Sequence, residues 1–243
     1  MINKPEELSA RVAKAVACFW ETREKQAKRQ KSSGKADYGT RSAVTGGAQM
    51  DGFIDLFTEL IVEAGVDEAC IFHSAHLELP GYFRPTKEWD LLVVKNEQLI
   101  VALEAKSQVG PSFGNNFNNR TEEAIGSAVD LWTAFRDGAL NKTAQPWLGY
   151  LFLLEECPGS LRPVKVQEPH FEVFPEFKKA SYVRRYELLC RKLVRERHYN
   201  ASAFLTSERE NGVRGVFKEL AEDLTFGSFA RSLRAHVKAW GAR

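Results

Sequence analysis

Apolar positions Leu8, Val12, Ala15, Val16, Phe19 and Trp20 recur at helical spacing and predict a helix over residues 5–30. Its far end, REKQAKRQK, is basic, and the polar, glycine-containing stretch SSGKADYGTRSAVTGG after it reads as a loop. A second helix fits residues 50–64, with Phe53, Ile54, Phe57, Leu60 and Ile61 on one side and Gly65 as its stop. Residues 70–79 alternate like a strand, and the runs WDLLVV (89–94) and LIVALEAK (99–106) flank the turn KNEQ as a hairpin. The polar stretch 107–120, SQVGPSFGNNFNNR, reads as a long loop before a helix over 121–136 with Ala124, Ile125, Ala128, Leu131, Trp132 and Phe135 inward. WLGYLFLL (147–154) is apolar on both faces, as in a strand covered on each side. A helix over 181–199, a strand near 203–206 and a helix toward Trp240 complete the chain. Residues 50–154 therefore run helix, three strands, helix, strand, which is an α/β core with elaborations at both ends. No repeat or linker divides it, so one domain is expected: an N-terminal helix and basic loop (1–48), a core (49–156) and a C-terminal elaboration (157–243).

Strand alternation places Glu104 and Lys106 on one face and Leu103 and Ala105 on the other. The simplest pairing across KNEQ joins Val94 to Leu99, which would put Asp90 on the wrong face. For Asp90 to oppose Glu104, the hairpin must contain a bulge or a connection of three or five residues. Two carboxylates with a lysine two positions after the second are the parts that metal-assisted phosphodiester hydrolysis needs. The carboxylates hold a divalent ion, and the lysine sits near the attacking water. The pattern [DE]-x-K arises about twice by chance in a chain with 32 Asp and Glu and 16 Lys, and it occurs twice, again at Glu176-Phe-Lys178. Only context separates the copies: the first ends an apolar strand, and the second lies in the proline-punctuated VFPEFKK, read as surface.

Charge sharpens the picture. Residues 1–45 carry +5, residues 46–105 carry −8 and residues 178–214 carry +6, although the whole chain is only +2. Basic flanks suit phosphates and an acidic centre suits divalent cations. Gln108, Asn115, Asn116, Asn118, Asn119 and Arg120 follow Lys106 closely, and amides and arginine read purine edges bidentately in a major groove. Arg41, in the basic loop, joins them as an expected DNA contact. The helix RRYELLCRKLVRERH serves equally as a phosphate track or a solvated face. His73-x-x-His76 lacks a cysteine pair to complete a zinc site, and the four scattered cysteines read as reduced thiols of a cytoplasmic protein. No apolar run is long enough to span a membrane, no signal peptide is recognisable, and no phosphate-loop or serine-elbow motif occurs.

The stretches AVTGGAQMDGF, LPGYFRPTKEWDLLVV, KSQVGPSFGNNFNNRTEEA and EPHFEVFPEF resemble those of the XhoI-type type II restriction endonucleases, which recognise CTCGAG. The resemblance implies a PD-(D/E)xK nuclease core with N- and C-terminal helical elaborations. It implies Asp90 and Glu104 as Mg²⁺ ligands with the Ala105 carbonyl as a third, and Lys106 orienting or deprotonating the water. Trp89 stands where the family motif often has proline. An accessory glutamate from the preceding helix, Glu59 or Glu63, is also implied. So are cleavage after the first C with four-base 5′ overhangs and a companion DNA methyltransferase. A palindromic double-stranded target calls for a two-fold symmetric homodimer. The rival expectations are a structure-specific repair or recombination nuclease on the same core and a non-catalytic DNA-binding protein.

Overall fold

The computed structural model describes residues 5–32, 48–141 and 144–241. Helix α1 (Pro5–Ser32) buries Val12, Ala15, Val16, Phe19 and Trp20 as its stripe predicts. Helix α2 (Asp51–Glu63) is entered through a 3-10 turn at Ala48–Met50.

The strand expected over 70–79 is two short pieces. β1 (Ile71–Phe72) joins the main sheet, while β2 (Glu78–Pro80) pairs with β3 (Thr86–Glu88) as a separate antiparallel ribbon. The break is local: His76 has φ of 59°, a left-handed conformation that no extended strand accommodates.

β4 (Leu91–Lys95) and β5 (Gln98–Gln108) form the expected hairpin, closed by Asn96 and Glu97, both at positive φ. Lys95 pairs with Gln98 and Val94 with Leu99. A bulge then intervenes, after which Val93 pairs with Val101, Leu92 with Ala102 and Leu91 with Leu103. The required register shift is thus made by a bulge, and the Asp90 amide donates to the Leu103 carbonyl at 3.2 Å. The same bulge inverts the alternation, so Leu99 and Ala102 pack on one side of the sheet and Ile100, Val101 and Leu103 on the other.

Helix α3 (Phe113–Arg136) leads to β6 (Trp147–Glu155), which is buried throughout. The short α4 (Pro158–Leu161), then α5 (Tyr182–Arg195), β7 (Ala201–Ser207), the short α6 (Arg209–Gly212) and α7 (Phe226–Gly241) complete the chain. The sheet order is β1-β4-β5-β6-β7, antiparallel from β1 to β5 and parallel from β5 to β7. α1, α2 and α7 cover one face, and α3 and α5 cover the other.

Two boundaries differ from expectation in ways that matter for chemistry. α3 begins at Phe113, so the stretch read as a loop over 107–120 is largely the first two turns of a helix. Phe113 stacks on Tyr182 with centroids 5.7 Å apart, and Phe117 meets Tyr186 edge-on at 5.1 Å. This packing outweighs the weak helix propensity of asparagine, a penalty of up to about 0.7 kcal/mol per residue. α5 ends at Arg195, earlier than expected, because Arg197 is left-handed with φ of 59°. The turn swings Tyr199 into the core beneath β5.

Candidate active site

β5 outruns its antiparallel partner. Past Leu103, no strand among the described residues pairs with its β4 side, and the Ala105 amide donates instead to Asp90 Oδ2 at 2.8 Å. In a strand, the N–H and C=O of one residue point to the same side, so the Ala105 carbonyl faces this gap as well. Glu104 and Lys106 project from the adjacent positions toward the α3 face.

One ammonium already bridges the two carboxylates. Lys106 Nζ lies 2.8 Å from Asp90 Oδ2 and 3.6 Å from Glu104 Oε1. A second lysine, Lys87 on β3, donates to Glu104 Oε1 at 2.6 Å. The Tyr199 hydroxyl lies 2.9 Å from Glu104 Oε2 and 3.0 Å from the Ala124 carbonyl, with one proton to donate to either. Burial pushes the Glu104 carboxyl up, but Lys106, Lys87 and the Tyr199 hydrogen bond outweigh it and hold Glu104 below its usual range. For Lys106, burial works downward, and Glu104 and Asp90 more than reverse it, raising the ammonium above its ordinary value. Glu104 is therefore ionised and Lys106 protonated at neutral pH.

Three clefts meet at Arg120. One, of about 490 Å³, is lined by Arg84, Lys87, Glu104, Lys106 and Glu123. A second, of about 360 Å³, is lined by Asp51, His73, Trp89, Asp90 and Ala105. A third, of about 120 Å³, runs past Gln49, Gln108 and Asn116 to Arg23. Together they follow the end of β5 and the start of α3. The rim at Arg84 is built on Asp130, a buried carboxylate of α3. It accepts from the amides of Tyr82 and Phe83, both at 2.8 Å, and from Arg84 Nε at 2.7 Å. Burial raises its pKa, and Arg84 with the two amides overturns that, leaving Asp130 below the usual carboxylate range. Only glycine fits at Gly81, where a Cβ would lie 2.6 Å from the Arg84 carbonyl and 2.7 Å from Asp130 Oδ2. The loop so pinned presents Tyr82 and Phe83, the latter 71% exposed.

Among the described residues, those expected to read DNA divide into three groups. Asn116 and Arg120 face the clefts, with Arg120 paired to Glu123 at 2.5 Å, whereas Asn115, Asn118 and Asn119 are exposed on the helix surface. Gln108 is not available: it is buried, donates to the Ser112 carbonyl at 3.2 Å and accepts from the Tyr186 hydroxyl. Arg41 lies outside the described residues, as does the loop expected around it.

The accessory glutamates are elsewhere. Glu59 and Glu63 bind Arg11 at 2.6 and 2.8 Å, and Glu63 also pairs with Arg234, tying α2 to α1 and α7. They sit toward the far end of α2, and it is Asp51, at the helix start, that lines the Asp90 cleft. Burial and neighbouring Asp55 raise the Asp51 pKa. His73 and His76 lie between β1 and β2, not on a strand, and His73 lines the same cleft. Cys190 is no nucleophile, because burial pushes its thiol up to about 12.

Among the described residues, no group of three or more His, Cys, Asp or Glu side chains is placed to hold a metal ion. Two carboxylates and a strand carbonyl remain. They are hard oxygen donors of the kind Mg²⁺ takes, with water completing the shell, and Lys106 shows that one cation reaches both carboxylates. The donor set fits that ion.

Sequence reasoning missed Lys87, Arg84, Asp130, Asp51 and Tyr199. Arg84 and Lys87 lie in the run LPGYFRPTKEWDLLVV leading to Asp90, which was a usable signal. Tyr199 is 95 positions from Glu104, and nothing local marks it.

Residues 29–219 match the family described as restriction endonuclease XhoI. The type II restriction enzyme BstVI of Geobacillus stearothermophilus is 56% identical over 213 residues, covering 86% of this chain and 95% of that protein. The type II restriction enzyme XhoI of Xanthomonas vasicola is 50% identical over 181 residues, covering 74% and 72%. The type II restriction enzyme AbrI of Azospirillum brasilense is 52% identical over 158 residues, covering 65% and 71%. No solved structure is matched by this chain. No helix among the described residues is long and apolar enough to cross a membrane.

Proposed function

This chain belongs to the restriction endonuclease XhoI family, whose enzymes act on double-stranded DNA, and on that premise we propose that it hydrolyses both strands of the palindrome CTCGAG with Mg²⁺. Cleavage follows the first C and leaves four-base 5′ overhangs. The observation that carries this reading is the convergence of Asp90, Glu104, the Ala105 carbonyl and Lys106 where β5 outruns β4, on the walls of clefts that meet at Arg120. We read the order α2, β1, β4, β5, α3, β6 as the PD-(D/E)xK core.

Asp90, Glu104 and the Ala105 carbonyl would hold the ion, which supplies neutralisation of the scissile phosphate and acidification of an attacking water. The chain's own residues do the rest. Lys106, held protonated by its two carboxylates, serves as a hydrogen-bond donor that orients the water or a phosphate oxygen. While the two carboxylates hold no divalent ion, their charge keeps it an ammonium at neutral pH. The Tyr199 hydroxyl, when it donates to Glu104 Oε2 at 2.9 Å, fixes the Glu104 rotamer from beneath, so the carboxylate does not need to be ordered during reaction. Arg84 and Arg120 add positive charge along the cleft for the DNA backbone. Asn116 and Arg120, which face the clefts, and the exposed Asn115, Asn118 and Asn119 are the side chains that would meet bases, Arg120 by exchanging its contact with Glu123. A palindrome presents two equivalent half-sites, so the enzyme works as a two-fold homodimer, paired genetically in the cytoplasm with a methyltransferase that protects host DNA.

The test is incubation of the purified protein with unmethylated plasmid, with Mg²⁺ and with EDTA, followed by sequencing of the ends. Mg²⁺-dependent fragments with TCGA overhangs are expected. Cuts at another fixed sequence would overturn the specificity and keep the chemistry. Bound but intact plasmid would overturn the nuclease assignment.

A further inference from the structure

Lys87 lies outside the Glu-x-Lys spacing, yet it makes the shortest contact to Glu104. Its ammonium sits 2.6 Å from Glu104 Oε1, donates to the Glu88 carbonyl at 2.9 Å and lies 4.2 Å over the Trp89 ring. The Lys87 side chain is 12% exposed and that of Glu104 only 3%. A carboxylate this buried needs a counter-charge, because an unpaired charge in the interior is strongly destabilising. Lys106 does not supply it alone, since its closer contact is to Asp90, at 2.8 Å against 3.6 Å for Glu104. In the protein without a divalent ion, Glu104 therefore depends on Lys87.

That dependence conflicts with Glu104 serving as a metal ligand. A dication held by the Glu104 carboxylate would compete with Lys87 for its oxygens. An ammonium held at 2.6 Å from the same oxygen would be repelled by it, and the repulsion is large in a site with little water. Lys87 has somewhere to go. It is carried on the two-stranded ribbon β2–β3 beside the main sheet, and it already lines the 490 Å³ cleft with Arg84, Lys106 and Arg120. Released from Glu104, its ammonium would still face that cleft, where the proposed function puts the DNA phosphates.

Resting on the reading of Glu104 as a metal ligand, we propose that Lys87 is an exchangeable counter-ion of the site. It neutralises Glu104 while the metal is absent, is displaced when a divalent ion binds, and then positions the substrate phosphate from the cleft. The competition holds back metal binding in the free enzyme and couples metal arrival to the appearance of a new positive charge facing DNA.

The experiment is a titration with Mn²⁺ in the absence of DNA, read from the resonance of the free ion, on the wild-type protein and on Lys87→Gln, Lys87→Arg and Glu104→Gln. Removing the competing charge in Lys87→Gln is expected to tighten Mn²⁺ binding by roughly tenfold or more. Lys87→Arg, which still neutralises Glu104, is expected to stay within about twofold of wild type. A residue that merely braces the site would move the other way, so unchanged or weaker binding in Lys87→Gln overturns the counter-ion role. At saturating Mg²⁺, Lys87→Gln is expected to cut plasmid about 10²-fold more slowly than wild type in a single turnover. An unchanged rate there would overturn the phosphate-positioning step. Failure of the underlying reading looks different. If Glu104→Gln binds Mn²⁺ as wild type does, Glu104 is not a metal ligand and the proposal falls with it. If Glu104→Gln loses Mn²⁺ while Lys87→Gln matches wild type, only the role of Lys87 falls.

Discussion

Glu104-Ala105-Lys106 and Glu176-Phe177-Lys178 share one spacing and have opposite surroundings. The first lies on extended β5, where alternate residues share a face, and its glutamate and lysine come within 3.6 Å while both turn toward Asp90 or Lys87. The second lies at a 3-10 turn (Pro175–Phe177), and its charges part company. Glu176 reaches Lys192 at 2.8 Å, and Lys178 reaches Glu172 at 2.7 Å and Glu168 at 3.6 Å. The difference teaches that a spacing acts only through the backbone that carries it. It also shows what burial adds. Glu104 and Lys106 each overcome a desolvation penalty to stay charged, whereas at the second copy surface partners, Lys192 for Glu176 and Glu172 with Glu168 for Lys178, set the shifts.

The largest expected effect breaks the comparison at the first copy. Asp90→Asn and Glu104→Gln should abolish cleavage, a loss of at least ~10³-fold in single-turnover rate, while gel-shift affinity for DNA persists. Glu104→Gln should also cost about 3 kcal/mol in urea unfolding, because the half-buried Lys87 loses its carboxylate. The same change at Glu176 should leave both cleavage rate and unfolding midpoint at wild-type values. Equal effects at the two copies would dismiss the distinction.

A smaller effect extends the contrast to the polar residues after Lys106. Arg120→Ala should weaken specific DNA binding by about 1–3 kcal/mol and relax sequence preference, with unfolding little changed. Gln108→Ala should do the reverse, costing about 1–3 kcal/mol of stability by leaving the Tyr186 hydroxyl unpaired while sequence preference is retained. Affinity on matched and mismatched duplexes, beside urea unfolding, separates the two.

The smallest effect concerns pH. Asp130 and Glu104 have folded-state pKa values below their unfolded ones, so each contributes stability that is full above the ordinary carboxylate range, about 4, and is lost as pH falls through the folded value. Asp130→Asn should therefore be less stable than wild type at pH 7, with the gap closing as pH drops below about 4. A gap that stays constant with pH would mean that Asp130 acts through shape alone.

The hairpin and the need for a register shift were legible because they follow from one demand, that Asp90 and Glu104 share a face, while only the structure shows a bulge in place of a three- or five-residue connection. The asparagine stretch was misread because its polarity concealed Phe113 and Phe117, whose burial against Tyr182 and Tyr186 makes it helical. Glu59 and Glu63 were placed by helix alone, and the sequence holds no sign that Arg11 and Arg234 would claim them.

By itself, then, the sequence determined the main helices and the hairpin, and marked Asp90, Glu104 and Lys106 as residues for one face, because strand alternation and apolar periodicity are properties of near neighbours in the chain. Only the tertiary structure decided that Lys87 and Tyr199 hold Glu104, that Gln108 is spent internally, and that Asp51 stands at the cleft in place of the distal glutamates. Those contacts depend on where separate elements pack, and a buried charge takes whichever partners that packing brings to it.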